Sequence, residues 1–157
     1  MGKILEENVE KWFELSRSGQ FQEAKDFYFD VLFENVIDIF VENTKAKKVD
    51  VLFSVLGFTP EPIILTQRAL DAKTHVIFYT KNENNRFEKE INPYLEKYLT
   101  SEYKLVELAD ASFQTIYKTL SEQMVLIPAS EYAIDITGGK KSMVAAAAMF
   151  ARDFNFN

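Results

Sequence analysis

The sequence predicts an α/β fold, a mainly parallel sheet with helices on both faces, preceded by an N-terminal helical hairpin. Three observations carry this. From Val49 onward, short runs rich in β-branched and aromatic residues alternate with segments of helical periodicity, the order that gives parallel strands joined by right-handed crossovers. Those runs are apolar almost without interruption, as strands covered on both faces are. Before Val49 only helical periodicity is present.

Residues 1–48 form the hairpin. Leu5, Val9, Trp12 and Phe13 share one helical face, and Gly19 supplies a stop. A second helical pattern runs through Phe21, Ala24, Phe27, Tyr28, Val31, Leu32, Val36, Ile39 and Phe40, and polar residues to Lys48 end it. Residues 49–157 form the α/β part. Val49 to Leu56 reads as the first strand, closed by Gly57, and Pro62 suits the first turn of the helix that follows to Leu70. His75 to Tyr79 is the second strand. Phe87, Ile91, Tyr94, Leu95 and Tyr98 are spaced for a helix that Pro93 kinks or splits. Tyr103 to Leu108 is the third strand, and Ser112 is placed to cap a helix through Phe113, Ile116, Leu120 and Met124. Tyr132 to Ile136 is the fourth strand, and a last helix runs from Lys141 to about Phe154. This is a doubly wound, Rossmann-like order. A further strand normally follows, so the chain reads as a piece of a longer protein.

The 157 residues match one ordinary domain, and 47% hydrophobic with 14% aromatic content supports a buried core rather than disorder. There is no cysteine and one histidine, which excludes disulfides, cysteine-bound metals and paired-histidine metal sites; no metal and no cofactor are expected. The net charge of −6 disfavours duplex DNA as a partner. No apolar run reaches the ~18 residues that span a membrane, and no secretory pattern opens the chain, so a cytoplasmic location is expected.

Ligands of open parallel sheets sit at the carboxyl ends of the strands. That rule selects the loops at 57–61, 80–85, 109–112 and 137–141. The most informative is Asp135-Ile136-Thr137-Gly138-Gly139-Lys140-Lys141-Ser142-Met143. Two glycines allow a tight turn and the close approach of a ligand. The helix that follows aims its free N–H groups at the same place, which suits phosphate. Lys140 and Lys141 add positive charge, Thr137 a hydroxyl, and Asp135 is placed to accept backbone amides. The bland alternative is a plain βα turn. The G-x-x-x-x-G-K-[ST] phosphate loop fails, because Ile134 holds the first glycine position and Lys141 the Ser/Thr position. The first βα turn, Gly57-Phe58-Thr59-Pro60-Glu61, lacks the G-x-G-x-x-G dinucleotide fingerprint.

Asp135-x-Thr137-Gly138-Gly139-x-Lys141-x-Met143, followed by the small-residue stretch Val144 to Ala148, resembles the second signature of CARF domains (CRISPR-associated Rossmann fold). Phe53 to Pro62 resembles their first, and the likeness covers about residues 49–154. It implies a homodimeric sensor of type III CRISPR antiviral signalling that binds one cyclic tetra- or hexa-adenylate across its two-fold axis and allosterically controls an effector. Carried over by position, Gly138, Gly139 and Lys141 line the phosphates, with Thr137 and Met143 beside them; Lys140 is a further candidate at the same turn. Gly57, Phe58, Thr59, Pro60 and Glu61 hold base or ribose, and Thr80 and Lys81 border the site. Lys140 departs from the Thr or Asn of many members, and the helical hairpin lies outside the core domain.

Two other functions fit the same residues. One is a ring nuclease that cleaves the messenger without metal, with Thr137, Lys140 and Lys141 as candidates. The other is an interaction module whose hairpin recruits a partner while the Rossmann-like half is scaffold. Glu61, a loop carboxylate near the same pocket, fits either a role in ring cleavage or, as the simpler reading, a cap on the helix that begins there. Arg68 and His75 show the R-x6-H spacing of HEPN ribonucleases, but a surface histidine at the amino end of the sheet is the simpler expectation.

Overall fold

The computed structural model describes residues 2–45, 47–81 and 86–156. Two compact units emerge, Met1–Ala46 and Lys47–Asn157.

In the first unit α1 (Gly2–Arg17) pairs with a second helical stretch made of α2 (Phe21–Phe27), a π-helical turn (Tyr28–Leu32) and α3 (Phe33–Thr44). The π turn corrects the sequence expectation. It inserts one residue into the helical repeat and so rotates the apolar face. Ala24, Phe29, Leu32, Phe33 and Ile37 become the buried set, while Phe21, Val31, Ile39 and Phe40 are exposed. Phe13 on α1 is exposed as well, its ring 5.0 Å from that of half-buried Trp12.

In the second unit four strands, β1 (Val51–Val55), β2 (Thr74–Thr80), β3 (Glu102–Leu108) and β4 (Tyr132–Asp135), form one sheet in the order β3-β2-β1-β4. Every pairing is parallel, with Val51 opposite Thr74 on one side and Tyr132 on the other. The connecting helices are α4 (Glu61–Leu70), α5 (Asn92–Tyr98), α6 (Phe113–Leu126) and α7 (Lys141–Asp153). Alternation along the strands divides the core. Val51, Phe53, Val55, Val76, Phe78 and Leu108 face Ile116 and Leu120 of α6 and Met143, Ala146, Ala147 and Phe150 of α7. Right-handed crossovers carry α4 and α5 to the other face, where Leu52 packs with Val49, Ala72 and Ala133.

Local chemistry sets the helix ends. The Ser112 hydroxyl accepts from the Thr115 amide at 3.3 Å and caps α6 as its sequence suggests. Pro62 lies in the first turn of α4, and Glu61 beside it favours the positive helix end. Before α5 the chain makes a second π turn (Phe87–Ile91). The Asn92 amide reaches back to Phe87, and Pro93, with no N–H to donate, follows directly.

His75 departs from the surface position expected of it. It is fully buried on the α4/α5 side of the sheet, with Nε2 2.8 Å from the Ser54 hydroxyl. Burial pushes its pKa down to about 3, so the ring is neutral at ordinary pH. Its pairing with Arg68 as an exposed catalytic couple is therefore ruled out. Burying a Phe or Ile side chain stabilises by about 1.5–3 kcal/mol. The surrounding apolar set offsets the cost of enclosing this one imidazole.

At the amino end of the sheet the Asp50 carboxylate accepts from Lys73 Nζ (2.6 Å), the Ser130 hydroxyl and the amides of Ser130 (3.3 Å) and Glu131 (3.2 Å). These bonds, led by that from Lys73, hold the carboxyl well below the usual carboxylate range. Its stabilising effect is present above the unfolded value near 3.8 and is lost only as pH falls below that. Asp50→Asn is expected to lower the thermal midpoint at neutral pH and to remove this acid-dependent part of the unfolding curve. A midpoint unchanged at pH 7 would show that the clamp contributes nothing.

Candidate ligand-binding site

β1 and β4 are neighbours, yet the helices that leave them lie on opposite faces. Their carboxyl ends therefore form the switch point of the sheet, where loops diverge and leave a crevice. The two turns touch there. A Cβ placed on Gly57 would lie 2.7 Å from the amide nitrogen of Gly139. One placed on Gly138 would lie 2.7 Å from the carbonyl oxygen of Val55 and 3.1 Å from the Gly57 nitrogen. Gly139 adopts a φ of +87°, a region that side chains disfavour. Backbone meets backbone at Gly57 and Gly138, and these two glycines are what let the turns cross.

The fourth-strand turn is held from below and from the side. Asp135, buried at the end of β4, accepts the Thr137 amide at 2.8 Å, as its sequence position suggests. Lys140 is extended and stands immediately before α7. Met143, one turn on, is buried beneath it with Sδ 3.5 Å from the Lys140 amide. The Ser142 hydroxyl donates to the Ala111 carbonyl at 2.6 Å and ties the start of α7 to the loop after β3.

Beside these turns lies a cleft of about 150 Å³, lined by Leu56, Gly57, Phe58, Tyr79, Thr80, Lys81, Phe87, Ile91, Lys140 and Met143. Six of the sequence-predicted residues meet in it: Gly57, Phe58, Thr80, Lys81, Lys140 and Met143. Thr59, Pro60, Glu61, Thr137, Gly138, Gly139 and Lys141 are outside its lining. Pro60 is buried, Lys141 is exposed in the first turn of α7, and Thr137 is exposed on the turn. Residues 82–85 of the loop after β2, included in the sequence expectation, fall outside the described residues.

Sequence reasoning missed the aromatic wall. Tyr79 and Phe87 stack at 4.1 Å between centroids with 16° between planes. Phe58 is 67% exposed at the mouth, and the Arg86 guanidinium lies 5.7 Å from its ring centroid. The signal for Tyr79 was its place at the carboxyl end of β2. The lining thus combines an exposed aromatic ring, Phe58, and the stacked Tyr79 and Phe87 with the ammonium groups of Lys81 and Lys140. That combination suits a ligand carrying both an aromatic base and phosphate.

No family model matches the chain, and no curated protein does. Among solved structures, Can2 from Sulfobacillus thermosulfidooxidans in complex with cyclic tetra-adenylate (cA4) is similar at a TM-score of 0.54 and 18% identity. The match covers 66% of this chain and 29% of that one, so the chain corresponds to less than a third of the solved protein's length. The likeness is one of fold.

Proposed function

We propose that this chain is a cyclic oligoadenylate-binding sensor module of the CARF kind, which pairs as a homodimer and passes ligand binding on to an effector in type III CRISPR antiviral signalling. The observation that carries the reading is the switch-point cleft, where Lys81 and Lys140 converge beside the crossing turns. A fold shared with a chain solved in complex with cyclic tetra-adenylate supports it.

Size supports the two-fold arrangement. Sites for small molecules commonly span about 300–1,000 Å³. A cleft of about 150 Å³ falls below that range and takes only part of a ring, and the same cleft on a second copy adds a symmetric second part. In this reading Lys140 and Lys81 meet phosphate, and Phe58 with the turn at Gly57 meets base or ribose. Helix α7 starts at the ligand turn and exposes Ala145, Ala148 and Met149 on its free side, which suits a lever between turn and partner subunit.

The test is calorimetric titration with cyclic tri-, tetra- and hexa-adenylate. Binding by one ring per two chains is expected, and absence of heat with all three would overturn the reading. Lys140→Ala is expected to weaken binding by about 1.5–3 kcal/mol, the scale of a hydrogen bond to a charged group. Lys141→Ala should cost less, because Lys141 lies outside the cleft. Analysis of the same mixtures for linear products separates sensing from cleavage.

A further inference from the structure

The two lysines of the cleft are not equivalent. Lys81 Nζ lies 3.8 Å from Oε2 of Glu107, a β3 carboxylate, and the Tyr79 hydroxyl donates to the same oxygen at 3.4 Å. The Tyr79 phenol is held above its ordinary pKa, first by burial and then by the negative charges of Glu107 and Glu88. Lys140 has no ion pair among the described residues. One ammonium group of the cleft thus already has an anionic partner.

We infer that Glu107 is an affinity-limiting counter-charge of this site: its carboxylate occupies Lys81 and the Tyr79 hydroxyl, and an incoming phosphate must displace it from both. This rests on the cleft being an anion site, as the proposed function holds. The energetics favour such a device. An exposed pair at this separation is weak, so it yields to a phosphate without locking the site. A carboxylate beside the path of a phosphate also opposes it by direct repulsion, which salt screens. Any anion that reaches Lys81 therefore exchanges one contact for another, and net attraction comes from Lys140 and from the aromatic wall.

The experiment titrates the full chain at low ionic strength with two probes, cyclic tetra-adenylate and inorganic pyrophosphate. Wild type, Glu107→Gln, Lys81→Ala and the double variant are compared. Glu107→Gln is expected to tighten both probes by about two- to five-fold, the scale of one exposed ion pair. The gain should shrink at high salt and be smaller when Lys81 is absent, where only the direct repulsion remains to be relieved. No gain, or an equal gain in the Lys81→Ala background, overturns the inference. Binding of cyclic tetra-adenylate with no response to Glu107→Gln leaves the proposed function standing and removes the inference. A pyrophosphate response without cyclic tetra-adenylate binding does the reverse, and failure of both probes to bind removes both.

Discussion

Gly138→Ala is expected to lower stability by about 1–3 kcal/mol, the cost of forcing atoms into a closed site, and to weaken ligand binding along with it. The added methyl would sit 2.7 Å from the Val55 carbonyl oxygen and 3.1 Å from the Gly57 nitrogen. Both are main-chain atoms, so no side chain can swing aside to relieve the clash. One of the two turns must move, and both border the cleft. Gly57→Ala should act alike, since its methyl meets the Gly139 amide nitrogen at 2.7 Å. The two changes relieve or worsen the same contact, so the double variant should cost less than the sum. Denaturant unfolding and calorimetry on the three variants provide the readouts. Wild-type stability in Gly138→Ala would mean that the turns do not cross as described.

The second large effect is on the acid side. His75 has a folded-state pKa of about 3 against 6.5 for a free imidazole. The folded chain keeps the ring neutral while the unfolded chain takes up a proton below pH 6.5. Stability is therefore full above that value and falls as pH drops toward 3. At pH 5 the loss is about 2 kcal/mol, from 1.36 kcal/mol per pH unit of difference. His75→Gln removes the titrating group and should flatten unfolding free energy between pH 7 and 5. The sequence contains a single histidine, so one imidazole resonance reports it without ambiguity. That resonance should show no titration from pH 8 to 5 in the folded protein. A midpoint near 6.5 would place the ring in solvent and remove the argument. The Asp50 clamp acts below about pH 4, so the two windows separate in one experiment.

Periodicity made the fold legible. Each strand appears within about two residues of its expected ends; β1 and the middle of β2, buried on both faces, leave a dense apolar signature, while β3, at the sheet edge, is mostly half-exposed. Capping chemistry fixed the start of α6 at Ser112, and Pro62 the start of α4. The π turn at Tyr28–Leu32 was not legible, because one added residue changes the phase of a helix without changing its composition. Val31 and Phe29 exchange roles through that shift alone. His75 was misread because a lone polar residue in a strand has no periodicity of its own, and its partner Ser54 lies 21 residues away.

The site was half legible. Loop position at the carboxyl ends of strands located Gly57, Thr80, Lys81 and Lys140 in advance. The wall formed by Tyr79 and Phe87 was hidden, since their stacking depends on how the π turn at Phe87–Ile91 returns over β2. The signature motif put Lys141 at the phosphates and marked Lys140 as a departure, whereas Lys140, the last extended residue before α7, lines the cleft and Lys141, the first helical one, does not.

The pairing of β1 with β4 has a consequence for how the protein is made. Glu131 donates to Asp50 across a sequence separation of 81 residues, and the crossing of the two turns depends on the same pairing. Closing so long a loop is slow and can follow only when the distal strand has left the ribosome. The crevice therefore assembles only after β4 and the turn that follows it have been made. A nascent chain that ends before β4 carries Lys81 but not Lys140, and so has only one side of the crevice.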